Sequence, residues 1–283
     1  MPCKFILAPQ GAGVNVLGFE MFPALLAEHL DNAVLINPTT FLLTNTKSNL
    51  KNINEIVDYT NRLAAKTNEC ILNKITPITI GGDHSVALGS IFGVATEVNN
   101  LGVIWIDAHA DMNTDKTTPS GNIHGMILAA LQGLGDERLI NAFKKQIRIK
   151  TENIVIYGTR DLDKLEEQLM NEIGIYYVPF DEIRKEGITK TLERSVSYLK
   201  SKIKNLHVSF DLDVLNPLLI PGVSVPVNDG FNPDEAFIIL EALFNNFFVT
   251  SFDLVEYNPK FDINNLTKGF VIKMISYLKH KFE

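Results

Sequence analysis

Leu101-Gly102-Val103-Ile104-Trp105-Ile106-Asp107 is an apolar run that ends abruptly on a carboxylate. It does not alternate apolar with polar residues, as a strand wet on one face does. A continuous run of this kind reads as a strand buried on both faces, the mark of a parallel sheet packed under helices. Working outward, similar short runs fall at 5–8, 33–36, 75–80, 154–157, 175–178, 205–211 and 248–255. Between them lie amphipathic patterns at 22–30, 54–73, 86–98, 124–131, 162–173, 189–203, 233–245 and 266–281. Asn232 before Pro233 is a helix start, with proline at the first helical position. Strands alternating with helices in this way predict an α/β fold, either a doubly wound sheet or a closed barrel. Periodicity leaves that choice open, and both architectures place ligands at the carboxyl ends of strands.

Three short runs stand at those ends: Gly81-Gly82-Asp83-His84-Ser85, Asp107-Ala108-His109-Ala110-Asp111 and Asp211-Leu212-Asp213. In extended backbone, residues two apart point the same way. On that reading Asp107, His109 and Asp111 reach one cavity, and Asp211 and Asp213 reach it from another strand. With His84 they form a donor set of four carboxylates and two imidazoles. So oxygen-rich a set favours manganese over structural zinc. A carboxylate each from Asp107 and Asp211 suits bridging of two cations about 3.5–4 Å apart. Each run also has an ordinary reading. A lone Asp-x-Asp is commonly a turn or a helix cap, and Gly-Gly-Asp-His a tight strand-to-helix turn.

Composition narrows the classes. The 283 residues, 46% of them hydrophobic, carry no linker or long charge run, which favours one domain over 1–283. A net charge of −7 argues against a nucleic-acid surface. Lys144, Lys145, Arg148 and Lys150 form the notable basic cluster and read as a solvated helix face. No stretch approaches the roughly 18 apolar residues of a membrane span. Two cysteines, Cys3 and Cys70, make no disulfide framework, so a cytoplasmic protein is the expectation. His29, His207 and His280 fall outside every motif and read as structural or surface residues.

The metal-like runs, together with Ser209-Phe210-Asp211-Leu212-Asp213 and Glu256-Tyr257-Asn258-Pro259, resemble the signature runs of the ureohydrolase family, which contains arginases, agmatinases and formimidoylglutamases. The resemblance runs from the first strand to the last helix. It implies a three-layer α/β/α sandwich with a mostly parallel eight-stranded sheet, two Mn(2+) per subunit, and a homotrimer or homohexamer. Carried over residue by residue, one manganese is held by His84, Asp107, Asp111 and Asp211. The other is held by Asp107, His109, Asp211 and Asp213. A metal-bridging hydroxide then attacks the guanidinium carbon, Asp111 passes a proton to the leaving amine, and Glu256 pairs with the guanidinium.

The loop from Asn113 to Gly125 is similar to the arginase version. There Asn113, Thr118, Ser120 and Asn122 match residues that grip the α-carboxylate of a small guanidino amino acid. Asp163 matches the residue that meets the α-ammonium, and His124 matches a proton shuttle. The implied reaction is L-arginine and water to L-ornithine and urea, with formimidoylglutamate, agmatine or another guanidino acid as alternatives. A relative that binds metal without turnover stands against all of these. Taken without the resemblance, Asn, Thr and Ser are ordinary turn formers. Asp161 or Asp163 equally caps the helix near Leu162, and His124 equally begins one. The pattern also departs from arginases. Ser224 and Val225 stand where Gly and Thr are usual, Asn216 replaces a common aspartate, and the run 258–262 is closer to formimidoylglutamases. The glycines of 11–18 lack the spacing of a dinucleotide site.

Overall fold

All eight strands expected from the sequence form: β1 (Cys3–Ala8), β2 (Val34–Leu35), β3 (Thr76–Gly81), β4 (Gly102–Ile106), β5 (Ile154–Thr159), β6 (Tyr176–Pro179), β7 (Asn205–Asp211) and β8 (Phe248–Val255). They belong to a computed structural model that describes residues 2–43, 50–143 and 147–282. The sheet runs in the order β2-β1-β3-β8-β7-β4-β5-β6, with every neighbouring pair parallel. It is open, with β2 and β6 at its edges, so the doubly wound alternative holds and the barrel does not.

The helices are α1 (Phe22–Leu26), α2 (Ile53–Leu72), α3 (Val86–Ala95), α4 (Ile127–Leu131), α5 (Glu137–Ile140), α6 (Lys164–Ile173), α7 (Phe180–Glu186), α8 (Ile188–Lys200), α9 (Pro233–Asn246) and α10 (Leu266–Phe282). Strand side chains alternate between two apolar layers, as the period of two demands. Ile104 and Ile106 pack on one side with Phe22 of α1, Ile183 of α7 and side chains of α8, α9 and α10. Val103 and Trp105 pack on the other side with α2, α3 and α4. The result is a three-layer α/β/α sandwich. On the second face α3 presses hard against α2, because a Cβ on Gly93 would sit 2.0 Å from Thr67 Oγ1 and 2.3 Å from the Ala64 carbonyl. Only glycine permits that approach.

Several boundaries differ from expectation for local reasons. The pattern at 22–30 is α-helical over α1 alone and tightens to a 3₁₀ turn at Ala27–His29. The stretch at 124–131 likewise opens with a 3₁₀ turn, Ile123–Met126, before α4. Two helices carry too few residues to show a period: α5, capped by the Asp136 side chain, and α7, which follows β6 directly. Asn232 does cap α9, its side chain accepting from the Asp234 and Glu235 amides at 3.0 Å. The basic cluster is corrected where it is described. Arg148 and Lys150 lie on no helix, and the Arg148 guanidinium donates to the Ile140 and Ile147 carbonyls at 3.0 and 2.7 Å. Lys144 and Lys145 lie outside the described residues. Among those described, no helix is long and apolar enough to cross a membrane.

Candidate metal centre

The four strands in the middle of the sheet, β3, β8, β7 and β4, deliver the donors from their carboxyl ends. After β3 the chain turns at Gly82, where a Cβ would strike the Gln10 carbonyl oxygen at 1.9 Å. The buried Asp83 carboxylate fixes the turn by accepting from the Gly13, Val14 and Ser85 amides at 2.7, 3.1 and 2.9 Å. His84 is thereby aimed inward.

After β4 the expectation of extended backbone fails. Asp107 Oδ1 accepts the His109 amide at 2.7 Å, closing a turn, and Asp111 adopts a left-handed φ of 51°. The three side chains converge because the loop curls around them. The same device follows β7, where Asp211 Oδ1 accepts the Asp213 amide at 2.8 Å. Glu256, directly after β8, has φ 68°, donates its amide to Gly82 O at 2.7 Å and accepts the His84 amide at 3.0 Å. Left-handed backbone costs a residue with a side chain about 1–2 kcal/mol, and such strain gathers where function holds it in place.

His84 Nδ1 faces Asp107 Oδ2 at 2.9 Å, Asp211 Oδ2 at 3.0 Å and Asp111 Oδ2 at 3.2 Å. His109 Nδ1 lies 3.0 Å from Asp213 Oδ2 and 3.4 Å from Asp107 Oδ1. Asp107 therefore offers one oxygen to each half of the cluster. All six predicted donors come together, five of them buried and His109 half-buried. Behind them, Ser209 Oγ meets His84 Nε2 at 2.8 Å, which leaves Nδ1 to the cluster. The Trp105 indole stacks on the His84 ring with centroids 3.9 Å apart and donates Nε1–H to Asp107 Oδ2 at 3.0 Å.

Without a cation this arrangement is electrostatically crowded. Burial drives the Asp211 carboxyl well above its ordinary range, and Asp213 and Asp107 add to the effect. Burial and the Asp107 charge likewise raise Asp111 and Asp213. Burial alone would depress the His84 and His109 imidazoles, yet the surrounding carboxylates outweigh it and hold both well above the usual value. Asp107 runs the other way: burial lifts it, but His109 and His84 bring it below its ordinary value. His84 Nδ1 and Asp111 Oδ2 are buried with no hydrogen-bond partner among the described residues. Orphaned donor atoms converging within a few ångströms fit a divalent cation, which would relieve both the repulsion and the missing bonds.

A cavity of about 250 Å³ opens above the cluster, lined by Asn113, Thr118, Ser120, Asn122, His124 and Asp163 among others. Every substrate-side residue expected from the sequence lines it except Glu256. That residue lies buried beneath, its Oε1 3.6 Å from His124 Nδ1 and its Oε2 without a hydrogen-bond partner among the described residues. Burial, reinforced by Asp213, pushes the Glu256 carboxyl up to about 8. Asp163 does cap α6, and it also lines the cavity and accepts the Asn113 side-chain amide at 2.9 Å. Val225 forms part of the same wall. A larger cleft of about 430 Å³ beside Arg160 and Phe180 holds none of the donors. Its guanidinium is occupied in binding main-chain carbonyls of the 213–229 loop.

Glu166 is the lining residue the sequence reading missed. The spacing Asp163-x-x-Glu166 is that of a capping box, a signal that was present. Its oxygens accept the Met112 and Asp163 amides at 2.8 and 3.2 Å. Burial pushes its carboxyl up from 4.5 to about 7, against the pull of the Met112 amide. The folded protein thus keeps a proton that the unfolded chain releases. Stability from this group is present at low pH and is lost as pH rises from about 4.5 to about 7, on the order of 3 kcal/mol in all. Glu166→Gln is expected to flatten the dependence of unfolding free energy on pH in that window, measured by chemical denaturation. An unaltered slope would contradict the assignment.

Comparison with known proteins agrees with this geometry. The model of the arginase family matches residues 24–279. Arginase of Bacillus subtilis (strain 168) is 42% identical over 232 residues, 82% of this chain and 78% of that protein. The crystal structure of arginase from the same organism superimposes with a TM-score of 0.88 at 36% identity, covering 99% of this chain and 98% of that one. The structure of Entamoeba histolytica arginase in complex with L-ornithine gives a TM-score of 0.89 at 28% identity, covering 98% of this chain and 99% of that one. A family model spanning most of the chain, and relatives this similar over this much of it, lead to one statement: the chain belongs to the arginase family.

Proposed function

We propose that the protein is an arginase, hydrolysing L-arginine to L-ornithine and urea at a centre of two Mn(2+) per subunit. The observation that carries this reading is His84 Nδ1 facing three carboxylate oxygens within 3.2 Å, directly below a cavity lined by Asn113, Ser120, Asn122 and Asp163. His84, Asp107, Asp111 and Asp211 would hold one cation; Asp107, His109, Asp211 and Asp213 would hold the other. Bound divalent cations supply Lewis acidity and, with it, a hydroxide nucleophile at neutral pH.

The chain's own groups do the rest. Glu256 has an unpartnered buried oxygen, and a guanidinium beside it favours the ionised carboxylate and a charge-assisted pair. Asp111 turns Oδ2 to the cluster, and its second carboxylate oxygen would accept a proton from the attacking water and hand it to the departing amine nitrogen. His124 lines the cavity, and burial lowers its pKa, so it is neutral and able to exchange protons with solvent. Asn113, Thr118, Ser120 and Asn122 offer amide and hydroxyl donors to an α-carboxylate, while Asp163 faces the α-ammonium. The related E. histolytica arginase, solved with L-ornithine, supports an amino-acid substrate. Two cysteines in 283 residues, too few for a disulfide framework, accord with a cytoplasmic setting. The same reading includes one domain and a homotrimer or homohexamer.

Manganese-loaded protein is expected to release urea from L-arginine at least about 100-fold faster than from agmatine, since sites built to bond a polar group reject analogues that lack it. Metal analysis should return two manganese per subunit. Equal rates on agmatine, or formamide from formimidoylglutamate with no urea from L-arginine, would overturn the substrate.

A further inference from the structure

The loop carrying Ser120 and Asn122 is fastened to a segment remote in sequence, the residues that lead into α2. Lys51 reaches this loop twice. Its main-chain N–H donates to Gly121 O at 2.9 Å, and its Nζ donates to Asn122 Oδ1 at 3.0 Å. Asn52 anchors the other side, its side-chain amide donating to Ala12 O at 3.0 Å and Asn15 Oδ1 at 3.3 Å. Lysine has three N–H donors and no acceptor, so an amide bonded to it must present its oxygen. Asn122 is then left with its NH₂ group as the end that can meet a ligand. Asn122 lines the cavity, whereas Lys51 stands behind it, half-buried and off the lining. Among the described residues, Lys51 Nζ meets this amide oxygen and no carboxylate.

The cavity is polarised as a result. Asp161, Asp163 and Glu166 bring acidic groups to it, while Ser120 and Asn122 bring donors, the latter backed by the Lys51 ammonium. We propose that Lys51 is a positioning residue for substrate selection: it locks Asn122 with its NH₂ toward the cavity and sets a positive charge behind an α-carboxylate. An α-amino acid is thereby favoured over the corresponding decarboxylated amine. This rests on the proposed arginase reading and adds to it a residue that the sequence motifs do not include.

The test uses full-length manganese-loaded protein, wild type, Lys51→Met and Lys51→Arg. Kinetics are measured on L-arginine and agmatine, with L-ornithine and putrescine as competing ligands in calorimetry. Lys51→Met is expected to raise KM for L-arginine and Kd for L-ornithine about tenfold, the scale of a hydrogen bond to a charged group. Its kcat and metal content stay at wild-type values, and the agmatine and putrescine constants do not move. Lys51→Arg, which keeps a cationic donor, restores most of the loss. Equal weakening of carboxylate-bearing and carboxylate-free ligands, an unchanged KM for L-arginine, or a defect that arginine does not relieve would overturn the proposal. Wild-type protein that leaves L-arginine intact would sink the arginase reading instead, and the contrast between L-ornithine and putrescine would still decide on Lys51.

Discussion

Asp211→Ala will lose tightly bound manganese and urea release together. Asp211 acts on both halves of the cluster. Its Oδ2 lies 3.0 Å from His84 Nδ1, and its Oδ1 accepts the Asp213 amide at 2.8 Å, fixing the turn that presents Asp213. Loss of a supporting residue around a metal ligand costs about 10–100-fold in affinity. Removing a shared donor should exceed the top of that range. The metal-free protein should respond quite differently. Burial and like charges already favour the neutral form of the Asp211 carboxyl, so the metal-free fold loses little beyond the bond from the Asp213 amide, on the order of 1 kcal/mol. The increment in melting temperature on adding manganese, which measures binding to the folded state alone, should vanish. A variant that keeps two metals and the full rate would refute the bridging assignment.

Trp105→Ala is expected to cost about 3–5 kcal/mol of stability, the usual range for deleting a large buried aromatic side chain. Trp105 is among the largest fully buried side chains, and its ring covers one face of His84. Trp105→Phe separates packing from chemistry. It keeps an aromatic ring against the imidazole and deletes the N–H donated to Asp107 Oδ2 at 3.0 Å together with the indole's second ring. We expect it to retain most of the stability while manganese affinity falls about 10–100-fold. Titration of metal into both variants, beside denaturation curves, measures the two effects. Undiminished affinity in Trp105→Phe would show that the indole N–H does not tune the carboxylate.

Much of this was legible in the chain because the chemistry sits where strands stop. The bounds of β7 and β8 came out at 205–211 and 248–255 since each apolar run is cut by Asp or Glu. What escaped was contact across the sequence. Trp105 on His84 is a stacking between loop and strand that no periodicity records. Lys51 and Asn122 are 71 positions apart, and the link between them depends on a loop conformation. His207 read only as structural or surface, and what escaped was its partners: it lies sealed between Ser251 Oγ at 2.7 Å and Asp253 Oδ2 at 3.2 Å, with the Ser90 hydroxyl on the same carboxylate. The curl after β4 was missed for a related reason. Alternating spacing looks the same whether the backbone is extended or is turned by its own aspartates.

The strand order carries a consequence for biosynthesis. β8, the last of the eight strands in chain order, is inserted between β3 and β7. Until residues 248–255 leave the ribosome, the nascent protein holds two separate half-sheets, each with an open, unsatisfied edge. His84 follows a strand of one half, whereas Asp107 follows and Asp211 ends a strand of the other. The keystone follows both flanks in chain order, so a transcript cut short before residue 248 yields no weakened catalyst, only two flanks with nothing to join them.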